Sequence, residues 1–202
     1  MNKAQFFDLV RKSTMFNGKL SSEQVDGIEA ILDAATVAGW SMAWKAYALA
    51  TAYHETAKTM QPIPEYGNNN YFENNYGCNG KDPKRAKANG NIHVGDGIKY
   101  RGRGFVQLTW RNNYIRASTE IGVNLRDNPD LALNIDVATK ILIWGMQGGK
   151  FTGKSLGQCL GSKATIEDFK EARKIINGTD KALLIAGYAM KFQTAMQLAG
   201  AT

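Results

Sequence analysis

Apolar residues recur along most of this chain at the three- and four-residue spacing of amphipathic helices. Ser21-Ser22-Glu23-Gln24 has the Ser-x-x-Gln form of a capping box, and Val25, Ile28, Leu32 and Ala35 follow it at helical spacing. Trp44, Ala48 and Ala52 continue the style in a second helix, predicted to run to about Ala57. Residues 58–104 change character. They hold three of the four prolines, many Gly and Asn, and the basic run Lys81–Lys87, which predicts a long irregular or short-stranded excursion. Helical patterning returns over Trp110–Glu120. Asn134 is placed to cap the next helix, whose Ile135, Ala138, Ile141, Leu142, Ile143, Trp144 and Met146 leave little polar face. A helix apolar nearly all round is expected at the centre of a core. Thr165 opens another helix that should stop at Gly178, and Asp180 opens the last, with Ile185, Tyr188, Phe192 and Ala195 on one face. The predicted fold is mainly α, two-lobed, with a loop-rich or short-stranded insertion around residues 58–109. No internal repeat or low-complexity tract is visible.

Composition narrows this only a little. At 202 residues the chain suits a single domain, 1–202, and 44% hydrophobic residues suffice for a core. The net charge of +7 favours anionic partners such as nucleic acid, anionic lipid or an acidic wall, without choosing among them. The N-terminal MNKAQFFDLVRKSTMF carries one short apolar patch broken by charge, not the apolar core of a secretory signal. No run approaches 18 apolar residues, so no membrane span is expected. Synthesis in a cytoplasm follows, with any export by another route. Cys78 and Cys159 are too few for a disulfide framework, and reduced thiols are the default; a single bridge is open to a protein working outside the membrane.

Two carboxylates stand out. Glu55 shares a helix face with Trp44, Ala48 and Ala52, which points it along the edge of a core. Desolvation there and the negative end of the helix dipole both disfavour the anion, as a general acid near neutral pH requires. From position alone, a surface glutamate at a frayed helix end is the more frequent reading. Glu65 follows Pro62-Ile63-Pro64, a stiff extended segment. Ten residues reach at most roughly 33 Å, so a carboxylate gap of about 6.5–9.5 Å, which leaves room for a water and gives inversion, is allowed but not specified. Glu73, in the aromatic and Asn-rich Tyr71–Tyr76 stretch, is the rival second carboxylate, and a solvated loop acid is the bland alternative for both.

Metal chemistry finds little support. His54-Glu55-Thr56-Ala57-Lys58 begins like a zinc-protease helix, but Lys58 stands where the second His is needed, and His93 is the only other histidine. His54 reads instead as a residue that orients a neighbour or closes a core hydrogen bond. Gly102 and Gly104 of YRGRGFVQLTW lack a third glycine and a βαβ context, so they form no dinucleotide fingerprint. One Arg-Gly-Gly-like copy is weak evidence for RNA. The glycines are better read as permitting close backbone approach, with Phe105, Gln107 and Thr109 alternating along a short extended piece at a cleft; a plain turn and strand has even odds from pattern alone.

Taken together, Tyr53-His54-Glu55-Thr56-Ala57, Pro62-x-x-Glu65, Gly95-Asp96-Gly97, Tyr100-x-Gly102-Arg103-Gly104-x-x-Gln107-Leu108-Thr109, Asn113-Tyr114 and Arg173-x-Ile175-Ile176-Asn177-Gly178 resemble glycoside hydrolase family 19, the chitinase-like fold, and in particular its phage-encoded endolysin branch. The resemblance implies Glu55 as general acid, Glu65 as the base that activates water, and Thr109 as the hydroxyl that helps hold that water. It implies Gln107, Asn113 and Asn177 as sugar contacts, with Tyr100 and His54 among the substrate-binding residues, and no cofactor or metal. Because the chain lacks the cysteine framework of plant chitinases, the phage branch fits better. The expected activity is hydrolysis of the β-1,4 bond between N-acetylmuramic acid and N-acetylglucosamine in peptidoglycan, by a monomer without a separate wall-binding module. A separate pore-forming protein would release it to the periplasm, and its positive surface would meet the anionic bacterial envelope rather than nucleic acid. A chitinase of the same fold, and a non-catalytic basic protein binding wall or nucleic acid, are the alternatives.

Overall fold

A computed structural model describes residues 1–201. The chain begins with α1 (Lys3–Lys12), α2 (Ser22–Val37) and α3 (Met42–Glu55), followed by the two-residue strand β1 (Ile63–Pro64). Three short helices come next, α4 (Asn69–Tyr76), α5 (Pro83–Ala88) and α6 (Asp96–Lys99), then β2 (Arg103–Gly104) and α7 (Arg111–Ile121). A 3-10 turn at Pro129–Leu133 leads into α8 (Ile135–Gln147), then α9 (Leu156–Cys159) and α10 (Ile166–Ala172). A second 3-10 turn, Arg173–Ile175, precedes α11 (Ala182–Leu198). The fold is mainly helical, as the periodicity predicts. Two compact units divide it: Met1–Gln61 with Leu142–Thr202, and Pro62–Ile141.

In the first unit the core is α3 with α11, not α8. Ten of the fourteen α3 residues are buried, and its alanines let a neighbouring helix come close. Tyr53 of α3 meets Tyr188 of α11 edge-to-face with centroids 4.8 Å apart, and Phe16 packs on the other side of Tyr53 at 5.0 Å. By contrast Ile135, Ile143 and Trp144 of α8 are only half-buried. Its apolar run looked central because hydrophobicity along one helix cannot show which faces other elements cover.

Caps legible in the sequence form as expected. Ser21 and Gln24 complete their box, Thr165 and Asp168 make another, and Asn134 accepts from the N–H groups of Asp136 and Val137. Boundaries shift elsewhere. Helix α3 ends at Glu55, two residues early, because Ala57 and Lys58 adopt φ values of 49° and 72°. The helix opened by Thr165 tightens into a 3-10 turn before Gly178, and α11 starts at Ala182 behind Lys181, whose φ is 55°. The N-terminal patch is itself a helix, capped by Asn2 and burying Phe6, Phe7 and Val10.

Gly27 of α2 has a role the sequence did not signal. A Cβ there would lie 1.6 Å from the Met60 carbonyl oxygen. Gln24 Nε2 donates to Lys58 O at 3.0 Å, and Gln61 Nε2 to Glu23 O, so the segment after Glu55 is clasped to α2. Gly27→Ala must push backbone against backbone and is expected to lose about 1–3 kcal/mol in urea unfolding. An unchanged midpoint would show that the clasp yields freely.

The second unit holds the expected insertion, loop-rich and short-stranded, and within it lie three short helices, each too brief for a hydrophobic period to show. Asn68 caps α4, while Asp82 caps α5 with Pro83 in the first turn. Buried side chains join them. Asn91 Nδ2 donates to Tyr76 O and its Oδ1 accepts from Arg111 N, both at 2.9 Å. Asp96 Oδ2 accepts from the N–H groups of Ile92 and His93. Arg103 reaches Asp130, Lys99 O, Arg101 O and Tyr114 Oη. Asn91, Asp96 and Arg103 are thereby matched where they are buried, whereas Arg111 Nε is buried without a hydrogen-bond partner.

Candidate active site

Glu55 is the last residue of α3, where Ser41 caps the start and Thr56 closes the end by donating its hydroxyl to Ala52 O at 2.7 Å. Its side chain is 18% exposed and the Oε1 atom accepts from Arg173 Nη1 at 2.8 Å. Arg173 is 1% exposed, and its Nε donates to Asp180 O at 2.8 Å. Beside the partial burial and helix end expected from the sequence, Glu55 has a buried counter-charge that the sequence reading missed. The signal was faint: Arg173 stands beside the buried Phe169 and Ala172 on an otherwise apolar stripe. His54 is half-buried beside this pair; burial pushes its imidazole down, and the Glu55 carboxylate opposes that shift. Asn177 is exposed on the loop after the 3-10 turn, with its backbone N–H on Arg173 O at 3.0 Å.

Glu65 is positioned in the second unit by main-chain pairing. Strand β1 pairs antiparallel with β2, Ile63 opposite Gly104 and Pro64 opposite Arg103, and the pairing extends through Glu65 N to Gly102 O at 2.8 Å. Three donors then hold the carboxylate. Tyr76 and Tyr71 of α4 donate to Oε1 at 2.7 and 3.3 Å, and Gly102 N–H donates to Oε2 at 3.1 Å. Burial, reinforced by the adjacent Glu65 charge, pushes both phenols up, so they remain donors across the neutral range. A Cβ on Gly102 would lie 2.7 Å from Gln107 Oε1 and 3.1 Å from Glu65 Oε2, so a side chain there would displace both polar ends. Glu73 is placed differently. Its Oε1 accepts from Ile98 N at 3.1 Å, inside the short helix α6, so it ties α4 to α6.

The segment Phe105–Gln107 is a turn, not an extended piece. Gln107 has φ 51°, and an isolated bridge pairs Arg103 with Leu108 on the far side. Alternation therefore fails, and Phe105 is buried in the unit's interior. Gln107 Nε2 donates to Ile63 O and Gly104 O, which fastens the turn to β1 and leaves Oε1 toward Gly102. Thr109 Oγ1 donates to Gln107 O at 2.8 Å, and Asn113 Nδ2 to Thr109 O at 2.9 Å. A Thr hydroxyl that donates inward still has lone pairs with which to accept from a water. Tyr100 lies elsewhere, 2% exposed with its hydroxyl on Arg126 O, a placement that offers a sugar no surface.

The predicted residues thus fall into two groups. Glu55, His54 and Asn177 gather around Arg173; Glu65, Gln107, Thr109 and Asn113 are linked through Gly102 and the turn. Tyr71 and Tyr76 were read only as the setting of Glu73, although they bracket it in sequence and bond to Glu65. Among the described residues no group of three or more His, Cys, Asp or Glu is placed to hold a metal ion, and no helix is long and apolar enough to cross a membrane. Cys78 and Cys159 are both free thiols.

Comparison with known proteins identifies the family and the fold. The family 19 glycoside hydrolase model described as class I chitinase matches residues 33–155, which include both carboxylates and the turn. Over 89 residues the chain is 34% identical to a glycosyl hydrolase family 19 domain-containing protein of Haemophilus influenzae, covering 44% of this chain and 38% of that protein. Over 47 residues it is 51% identical to acidic endochitinase Q of Nicotiana tabacum, covering 23% of this chain and 19% of the other. The matched stretches span well under half of these relatives' lengths. Chitinase C from Streptomyces griseus HUT6037 has a similar fold, with a TM-score of 0.57 and 23% identity over 98% of this chain and 76% of that one. A bacterial family 19 chitinase is similar at a TM-score of 0.59 and 24% identity, covering 98% and 94%. At such identities the likeness is one of fold.

Proposed function

The chain belongs to glycoside hydrolase family 19, and on that premise we propose that it is an inverting endolysin cutting the β-1,4 bond between N-acetylmuramic acid and N-acetylglucosamine in peptidoglycan. The observation that carries the reading is the contrast between two carboxylates, one buried against a guanidinium at a helix end, the other held by hydroxyl and amide donors. Two carboxylates in different environments suit acid and base roles, and the His54-Glu55-Thr56 motif of the family assigns the acid role to Glu55. In this reading Glu55 protonates the leaving glycosidic oxygen. Arg173 occupies its Oε1, so the proton rides on Oε2. Glu65 takes a proton from the attacking water, and the Thr109 oxygen accepts the water's other hydrogen. Asn113, Gln107 Oε1 and Asn177 supply polar atoms for the N-acetyl sugars. The net charge of +7 supports an anionic bacterial envelope as the setting, and host lysis after release by a separate pore-forming protein as the role.

A second reading has its own support, since the named relatives and solved neighbours include chitinases. Turbidity loss on purified peptidoglycan, run beside product release from chitin, separates the two. Lysis with new N-acetylmuramic acid reducing ends, identified by mass spectrometry of the soluble muropeptides, is the expected result. Strong chitin cleavage with intact peptidoglycan would replace the endolysin reading by the chitinase one.

A further inference from the structure

We propose that Tyr76, assisted by Tyr71, is a positioning residue that fixes the rotation of the Glu65 carboxylate and makes Oε2 the oxygen that receives the proton from water. The inference rests on the reading of Glu65 as the base. A carboxylate offers about four lone-pair sites, two on each oxygen. Tyr76 and Tyr71 occupy both sites of Oε1, and the Gly102 N–H takes one of Oε2. One acceptor site is left, and it is on Oε2. The geometry therefore admits a single approach for the water.

The step balances without any other reactant. An O–H bond of the water breaks and its proton joins Glu65 Oε2 as the water oxygen bonds the anomeric carbon. The carbon–oxygen bond to the leaving sugar breaks, and its electron pair remains on the leaving oxygen, which takes the Glu55 proton. A carboxylate free to turn about its terminal torsion, a broad two-fold well, would present the open site only part of the time. Two phenols on one oxygen remove that freedom before substrate arrives, and preorganisation of this kind is a large term in catalysis.

The two tyrosines are not equivalent. Tyr76 is half-buried, makes the 2.7 Å bond and packs edge-on against Trp110 with centroids 5.1 Å apart. Asn91 holds its backbone carbonyl at 2.9 Å. Tyr71 is 44% exposed and makes the longer 3.3 Å bond. Tyr76 is accordingly the stronger half of the clamp and Tyr71 the weaker. Other charges nearby are engaged elsewhere: Arg101 donates to Ile98 O and lies over the Phe72 ring, Arg103 pairs with Asp130, and Arg85 of α5 lies over Trp110 and acts on Tyr76.

The test uses the full chain and Tyr76→Phe, Tyr71→Phe and Glu65→Gln. Phenylalanine keeps the ring packing on Trp110 and removes only the donor. Tyr76→Phe is expected to lower kcat about tenfold with KM near the wild-type value, the size expected for losing one hydrogen bond to a charged group. Its acidic limb in the pH–rate profile should move to higher pH, because the anion has lost a donor. Tyr71→Phe should show the same pattern, weaker. Thermal melting of each variant separates these effects from loss of fold. Wild-type kcat and an unmoved acidic limb in a folded Tyr76→Phe would overturn the inference. Full activity in Glu65→Gln, or none in the wild type on either glycan, would instead remove the reading on which it stands.

Discussion

Glu55→Gln is expected to slow glycan hydrolysis a hundredfold or more while leaving the helical fold in place, the loss typical of removing a general acid. Glutamine is nearly isosteric, and its Oε1 can still accept from Arg173 Nη1, which the carboxylate does at 2.8 Å. What disappears is the proton. Initial rates of reducing-end release, with far-UV circular dichroism as the control for folding, measure both halves of the expectation. Rates within a few-fold of wild type would reject Glu55 as the acid. Wall binding with no reducing-end release by the wild type would instead favour a basic protein that binds the wall without cutting it.

Arg173→Met is expected to cost about 3–5 kcal/mol of stability, as when one member of a buried ion pair is removed. The substitution fills part of the volume but leaves the Glu55 carboxylate without its counter-charge and Asp180 O without its donor. Arg173 is among the largest fully buried side chains of the protein, so solvent cannot replace the lost contacts from its side. Urea unfolding gives the magnitude. Combining the change with Glu55→Gln should cost less than the two singles added together, because the uncompensated charge is then gone. Strict additivity, or a loss below about 1 kcal/mol, would show that the pair contributes little.

How much of this was legible before the structure depends on the range over which each feature is specified. The Ser21–Gln24 box, the helix start at Thr165 and the Asn134 cap rest on interactions within three residues, and all form where the pattern placed them. The short helices α4, α5 and α6 were invisible as helices because four to eight residues hold at most about two turns, too few for a period to show. Phe105–Gln107 went wrong for a related reason. Alternation over five residues fits a strand, but a positive φ at Gln107 and the Arg103–Leu108 bridge make it a turn.

The site follows the same rule. Local sequence was enough to mark Glu55 at a helix end, to set Glu65 after two prolines and to single out Gly102 as a point of close approach. Its motifs were enough to identify the family, because motif chemistry is carried by residue types at short spacing. Only the tertiary structure decided what each carboxylate touches. Arg173 meets Glu55 across 118 residues of chain, and Gly102 meets Glu65 across 37. Tyr71 and Tyr76 are closer in sequence, yet their aim depends on where β1, β2 and α4 pack. An ion pair or a hydrogen bond acts over about 3 Å, whereas a flexible chain of that length can place its ends almost anywhere. Sequence could therefore single out Glu55 and Glu65, while packing alone could say what holds them.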